Sequence, residues 1–211
     1  MPRSPYSVHP AVAYQQAIIA NLKAKTGRSL AEWLALAEAK GPKDRKKLSA
    51  WLKERGLGGT QAGIVSERLL PSVERHAFLE DTEEGYLQAA EAYVDAMFSG
   101  KKAHLRPLYD TLLEIALDLG DDMRACPCKT IVPLYREHVV AEIRPSTLTR
   151  VDLGLALGDP ALVRDDSDRL IDTGGFEKKD RITHRIEIRS LKEIDFEVET
   201  WLKAAYERDV S

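Results

Sequence analysis

The sequence predicts an α+β protein in two parts. A small all-helical domain is expected over residues 1–80, and an α+β domain over residues 81–211, built on an antiparallel sheet of about four to five strands packed with helices. Three observations lead there. Apolar residues recur at three- and four-residue spacing as far as Leu119; beyond it several segments alternate apolar and polar residues; and the segment after Ser190 returns to helical spacing. The charge changes sign across the same boundary. Residues 1–80 carry 13 Lys and Arg against 7 Asp and Glu, a net +6, and residues 81–211 carry 18 against 27, a net −9. With 211 residues, 44% hydrophobic and 31% charged, the chain can furnish one large core or two small ones.

The helical elements follow in order. Ala11 to Lys25 carries Tyr14, Ile18 and Leu22 on one face and stops at Gly27. Ser29-Leu30-Ala31-Glu32 is a capping-box pattern, in which Ser and Glu satisfy each other's free backbone N–H groups. It opens a helix that buries Leu30, Trp33, Leu34 and Ala37 and ends at Gly41-Pro42. A third helix, about Lys43 to Arg55, has Leu48, Trp51 and Leu52 as its stripe and lysines around it. After Gly56-Leu57-Gly58, Thr60 is a natural N-cap for a fourth helix that Pro71 ends. Residues 72–82 read as a connector.

Two further amphipathic helices run from Glu83 to Ser99, bearing Tyr86, Ala90, Tyr93 and Met97, and from Ala103 to Leu119, bearing Leu105, Leu108, Leu112, Ala116 and Leu119. Strands are expected at Lys129–Arg136, His138–Arg144, Arg150–Leu157 and Ile182–Arg189. In the third, Val151, Leu153, Leu155 and Leu157 share a face. In the fourth, Ile182, His184, Ile186 and Ile188 face the core while Thr183, Arg185, Glu187 and Arg189 face away. Ser190-Leu191-Lys192-Glu193 is a second capping-box pattern, opening a helix with Leu191, Ile194, Val198, Trp201, Leu202 and Ala205 as its stripe.

Several function classes lack their signatures. No apolar run reaches the length of a membrane helix, and the opening Met-Pro-Arg-Ser-Pro has no apolar signal segment, so a cytoplasmic protein without membrane contact is expected. There is no Gly-Lys-Ser/Thr phosphate loop, no Gly-x-Ser-x-Gly elbow and no His-Glu-x-x-His. Cys126 and Cys128 are the only cysteines. With one residue between them they are expected to stay reduced, and C-x-C lacks the paired spacing of structural zinc motifs, even with His138 or His184 as added ligands. No metal and no cofactor are expected. The acidic run Asp165, Asp166, Asp168 and Asp172 lacks the Gly and distal Glu of a calcium loop and reads as a solvated loop.

Two places carry candidate chemistry. Gly56-Leu57-Gly58, followed by Ala62 and Val65, outlines a helix-hairpin-helix turn, whose amides at Gly58, Gly59 and Thr60 can meet a phosphate with help from Lys46, Lys47 and Lys53. The same glycines also serve as a helix C-cap and a tight turn that lets Leu57 plug the core. The second place is the outward sheet face, where Lys129, Arg144, Arg150, Asp152 and Arg185, with Glu187 and Arg189, can gather into a patch for a small anionic ligand, Asp152 orienting Arg150. Cross-strand salt bridges account for the same residues without a ligand.

Thr26-Gly27-Arg28-Ser29, the Trp51-Leu52-Lys53 helix and Gly56-Leu57-Gly58 resemble a small helical bacterial family catalogued as domain of unknown function 4287. From Tyr93 onward the chain resembles another, domain of unknown function 5655. This second likeness runs through Lys101-Lys102-Ala103-His104-Leu105-Arg106-Pro107-Leu108-Tyr109, Pro127-Cys128-Lys129-Thr130, Thr149-Arg150-Val151-Asp152-Leu153-Gly154 and the Ser190-to-Tyr206 segment. The helical family often has His residues after the glycines, where this chain has Gly59-Thr60-Gln61. Neither resemblance implies an activity or a catalytic residue.

The expectation is a two-domain, non-catalytic binding or adaptor protein of bacterial type, contacting nucleic-acid backbone non-specifically through the helical domain. The alternative is a protein or enzyme that holds a small anionic ligand at the Arg150/Asp152 face.

Overall fold

The computed structural model describes residues 4–71, 80, 82–163 and 168–209. The expected connector therefore lies almost wholly outside the described residues, as do Asp165 and Asp166. The chain divides into two compact units, Val8–Gln88 and Met1–Ser7 with Ala89–Ser211. Among the described residues no helix is long and apolar enough to cross a membrane.

The first unit contains α1 (Ala11–Thr26), α2 (Leu30–Lys40), α3 (Arg45–Lys53) and α4 (Gly59–Leu69). Gly27 ends α1 in the left-handed region at φ 77°, donating its N–H to Lys23 O. Ser29 and Glu32 then form the reciprocal capping box, with Ser29 N donating to Glu32 Oε2 at 2.7 Å and Glu32 N to Ser29 Oγ at 3.3 Å. Asp44 caps α3 by accepting from Lys47 N at 2.8 Å. Leu22, Trp33, Ala37, Leu48, Leu52, Leu57, Ala62 and Val65 form one buried cluster, and Trp51 packs partly buried against it. The Trp33 Nε1–H donates to Thr26 Oγ1 at 2.8 Å, which satisfies its buried polar atom.

Two local expectations are corrected here. Tyr14 is 62% exposed, and Val12 is the buried residue of the first turn of α1. Apolar residues lie all round α1, so packing and not periodicity selects the inward face. Gly58, not Thr60, is the N-cap of α4, because the chain is extended at Gly58 and Gln61 Oε1 reaches back to its N–H at 2.8 Å.

The second unit takes in the greater part of α5 (Glu83–Met97), then α6 (Arg106–Leu117) after a 3-10 turn at Gly100–Leu105, the sheet, and α7 (Phe196–Arg208). The strands are β1 (Arg124–Ala125), β2 (Val132–Tyr135), β3 (Val139–Arg144), β4 (Val151–Leu155), β5 (Ile171–Asp172) and β6 (His184–Ile188). They lie in the order β1-β2-β3-β4-β6-β5, every neighbouring pair antiparallel. The sheet thus has six strands among the described residues; the two beyond the expected four are two-residue edges, too short to display alternation.

Register explains the two faces. Ile143 pairs with Leu153 and Leu153 with Ile186, while Val151 pairs with Ile188, and these residues meet Leu112, Val198, Leu202 and Ala205 in one core beneath the helices. The opposite face carries Arg144, Asp152 and Glu187 in one cross-strand row and Glu142, Gly154 and Arg185 in the next. Gly154 is required there: a Cβ would stand 2.8 Å from both Glu142 Cγ and Ile182 Cγ2.

That contact also corrects the fourth strand. Ile182 precedes β6 and lies on the Glu142 face, not the helix-covered one, and Thr183 is buried, its Oγ1 accepting from Leu157 N at 3.2 Å. The alternation begins only at His184, where ladder pairing fixes the side-chain direction. The final helix starts later than expected. Ser190 to Glu193 closes a 3-10 turn, Leu191 is 52% exposed, and Asp195 caps α7 through Val198 N. In α5, Tyr86, Ala90 and Met97 are buried as expected, but Val94 takes the inward place expected of Tyr93, which is only partly buried.

Candidate anion-binding cavity

The outward row of the sheet is an arginine-rich network. Arg150 is held on both sides: its Nε donates to Asp152 Oδ1 at 2.9 Å and its Nη1 meets Glu187 Oε1 at 2.6 Å. Arg185 and Arg189 also bind Glu187, at 3.3 and 2.6 Å. Hydrogen bonding from Arg189, with the charges of Arg150 and Arg185 nearby, holds the Glu187 carboxyl below its ordinary range. The Asp152 side chain is only 5% exposed. Besides Arg150 it accepts from Ser146 Oγ at 2.5 Å, and Ser146 in turn accepts from Arg144 Nε at 3.1 Å. Asp152 thus orients Arg150, but Arg150 and Arg185 are committed to carboxylates, and their ion pairs need no ligand.

Arg144 also belongs to this row, its Nη2 3.9 Å from Asp152 Oδ2, whereas Lys129 is not part of it. Lys129 and Arg144 line a cavity of about 690 Å³ together with Lys101, Lys102, Thr130 and Ser146, with Ala96, Met97, Pro145 and Leu148 supplying an apolar edge. Four elements build it: the C-terminal end of α5, the 3-10 turn after it, the turn leading into β2, and the end of β3. Lys102 Nζ is fixed by donating to Pro145 O at 2.5 Å, a neutral acceptor that leaves its charge uncompensated. Thr130 Oγ1 is buried and has no hydrogen-bond partner among the described residues. A buried hydroxyl left so costs roughly 1–3 kcal/mol, which a bound acceptor recovers. Among the described residues no carboxylate, imidazole or thiol lines the cavity.

The site therefore differs from the sequence-based set. Lys129 and Arg144 belong to it, Asp152 supports it from behind through Ser146, and Arg150 and Arg185 belong to the Glu187 network. Lys101, Lys102, Thr130 and Ser146 were not singled out as ligand-binding residues. A signal existed in the two dibasic or basic-hydroxyl pairs, Lys101-Lys102 and Lys129-Thr130, but their convergence depends on pairing distant segments.

In the helical unit, Gly56 has φ 99° and donates to Lys53 O, while Leu57 donates to Leu52 O and is buried. This is a helix-ending turn that sets a core residue. Of the three amides proposed for phosphate, that of Gly58 is taken by Gln61. Gly58, Gly59 and Thr60 are exposed, as are Lys46, Lys47 and Lys53. Lys53 Cε lies 4.0 Å from where a Cβ on Gly59 would stand, so this lysine reaches the turn. Lys46 sits two turns back along the same face of α3, and Lys47 points about 120° away from it around the axis.

Cys126 and Cys128 are buried and unbridged, and burial pushes both thiols up to about 12. His138 instead meets Asp209 Oδ1 at 3.1 Å, and His184 meets Thr183 Oγ1 at 2.8 Å. Among the described residues no three metal-ligating side chains gather.

These features define a helical module joined to an antiparallel α+β module with a cation-lined cavity. The chain belongs to the family described as Domain of unknown function (DUF5655), whose model matches residues 94–209 and so takes in every residue lining the cavity. A second family, Domain of unknown function (DUF4287), matches residues 15–58, which hold Lys46, Lys47, Lys53, Gly56 and Gly58 but not Gly59 or Thr60. No curated protein and no solved structure matches the chain.

Proposed function

We propose that this is a cytoplasmic, non-catalytic binding protein whose α+β unit holds a small anionic ligand in the cavity between Lys101, Lys102, Lys129 and Arg144. The observation that carries the reading is the convergence of Lys101, Lys102, Lys129 and Arg144 on one cavity, Arg144 also paired with Asp152 at 3.9 Å, beside the buried Thr130 hydroxyl, which has no hydrogen-bond partner among the described residues. Lys102, whose ammonium is held by the neutral Pro145 carbonyl, and the Thr130 hydroxyl can both donate to an anion in the cavity, the former as a charge-assisted hydrogen bond. The expected alternative site at Arg150 and Asp152 thereby becomes the support of the cavity, through Ser146. The cavity lining also lacks the side chains most used for proton transfer, which favours binding over catalysis.

The test is thermal unfolding of the full chain with a panel of small anions at fixed ionic strength. A ligand that binds only the folded state raises the midpoint in proportion to its affinity. Stabilisation by multivalent anions, abolished in a Lys101→Gln, Arg144→Gln double variant, supports the reading; equal midpoints with every anion sink it.

A second reading concerns the helical unit. Its net positive sequence, the alignment of Lys46 with Lys53, and the approach of Lys53 to Gly59 favour non-specific contact with a nucleic-acid backbone. The two readings use different units and are tested separately.

A further inference from the structure

We propose that the outer face of α6 and α7 docks a basic amphipathic helix of another protein. This surface shares no residue with the cation-lined cavity.

The two helices bury one side and leave a groove on the other. Leu112 and Ala116 of α6 and Val198, Leu202 and Ala205 of α7 enter the core. Ile115 of α6 and Leu119 just past it line a groove of about 560 Å³ with Phe196 and Thr200 of α7. Phe196, Glu199, Thr200 and Lys203 recur at three- and four-residue spacing and so share one face of their helix. Phe196 is 82% exposed, the most exposed large hydrophobic residue among those described. Single surface hydrophobics are ordinary, but Phe196 stands with the partly buried Ile115 and Leu119 around one concave space, which is the form of a docking groove.

The walls select the shape of the occupant. Both are helical, so the groove offers no strand edge with which an extended segment could pair. An occupant of an apolar groove must then satisfy its own backbone N–H and C=O groups. An α-helix does so, and presents side chains at i, i+3, i+4 and i+7 as apolar anchors.

The rim selects its charge. Asp118 and Glu199 line the groove, are exposed and make no ion pair among the described residues, whereas Lys203 Nζ lies 3.8 Å from Glu207 Oε1. The last turn of α6 holds no basic residue, so its terminal carbonyls add to the negative potential at Asp118. Lysine or arginine beside the apolar anchors of an incoming helix meets that charge. The same charges oppose a second copy of this chain as the occupant. A two-fold contact sets Asp118 and Glu199 of one copy against those of the other, while each Lys203 already has Glu207 beside it.

The experiment is fluorescence anisotropy on the full chain at one ionic strength. The probe is a labelled Leu/Lys peptide of about four turns, with leucine at i, i+3, i+4 and i+7, compared with a scrambled peptide of the same composition and with its Leu/Glu counterpart. The Leu/Lys helix is expected to bind about tenfold tighter than the scrambled peptide, with the Leu/Glu helix weakest. Phe196→Ser, at an exposed position outside the core, should weaken the Leu/Lys helix about tenfold. Asp118→Lys with Glu199→Lys should reverse the preference, so that the Leu/Glu helix binds tighter than the Leu/Lys helix, which general attraction to an acidic surface does not produce. Equal binding of the scrambled peptide, unchanged binding by Phe196→Ser, or an unreversed preference overturns the proposal. So does light scattering that shows the parent as a dimer which Phe196→Ser dissociates, since a second copy then covers the groove.

Discussion

Ser146 donates its hydroxyl to Asp152 Oδ2 at 2.5 Å, joining a residue that lines the cation-rich cavity to a carboxylate buried in the sheet. Asp152 takes Arg150 with its other oxygen, so a single side chain couples the cavity wall to the arginine network. Removing it leaves Arg150 short of a partner and frees Ser146 and Arg144. Asp152→Ala is expected to destabilise the fold by about 3 kcal/mol or more, as loss of one member of a buried pair does. Ser146→Ala should cost only about 1 kcal/mol. Urea unfolding of both variants checks the order, and an Asp152→Ala loss no larger than that of Ser146→Ala contradicts it.

The state of Glu187 gives a pH dependence with a definite sign. Its carboxyl is depressed in the folded protein by the Arg189 hydrogen bond and the neighbouring arginines, from an ordinary value of 4.5. The folded state therefore binds fewer protons than the unfolded one at acid pH. The resulting stabilisation is fully present above pH 4.5 and is lost as pH falls through the depressed folded value. Denaturant midpoints of the parent should drop between pH 5 and pH 3 more steeply than those of Glu187→Gln, and parallel profiles rule the effect out.

The two tryptophans of the helical unit are not equivalent. Trp33 is fully buried with its Nε1–H bonded to Thr26, while Trp51 packs at the edge of the same cluster beneath Arg55, whose guanidinium carbon lies 3.8 Å from the ring centre. Trp33→Ala is expected to cost about 3–5 kcal/mol, the usual range for a buried aromatic. Trp51→Ala should cost about half as much, since part of its surface already meets water. Equilibrium unfolding ranks them; equal losses mean that the Arg55 contact matters as much as burial.

Cys126 and Cys128 should resist alkylation in the folded protein. Burial pushes both thiols up to about 12, so at pH 8 almost no thiolate is present, and neither sulfur is accessible. Mass spectrometry after iodoacetamide treatment is expected to show no adduct without denaturant and two adducts in guanidinium chloride. A native adduct means that the segment opens.

If the helical unit contacts phosphates, duplex-DNA affinity should fall about forty-fold between about 50 mM and about 200 mM salt for three released counterions. Replacing Lys46, Lys47 and Lys53 together by Gln should remove that dependence for all sequences alike. Fluorescence anisotropy of the full chain measures both, and a triple variant that binds as well as the parent ends this reading. Because Lys47 points away from the face shared by Lys46 and Lys53, Lys47→Gln alone is expected to have the smallest effect.

The local rules of the chain determined much of the architecture. Capping at Ser29 and Glu32, the left-handed stop at Gly27, the stripe of Leu48 and Leu52, and the alternation from Val151 to Leu155 each depend on neighbours in sequence, so each was legible there. Where a local rule had two solutions, tertiary packing chose. Apolar residues encircle α1, and Val12 was buried over Tyr14; the expected cap Thr60 fell inside α4, and Gly58 became the N-cap through Gln61; Ile182 lay two residues short of ladder pairing and came to face Gly154. The cavity was the least legible feature. Lys101, Lys129 and Arg144 come from three segments whose separation in sequence says nothing about distance, and only the antiparallel pairing of β2 with β3 and the packing of α5 beside them bring those charges to one wall. Periodicity encodes which side of an element is buried; the meeting of charges from distant elements is a property of the folded chain alone.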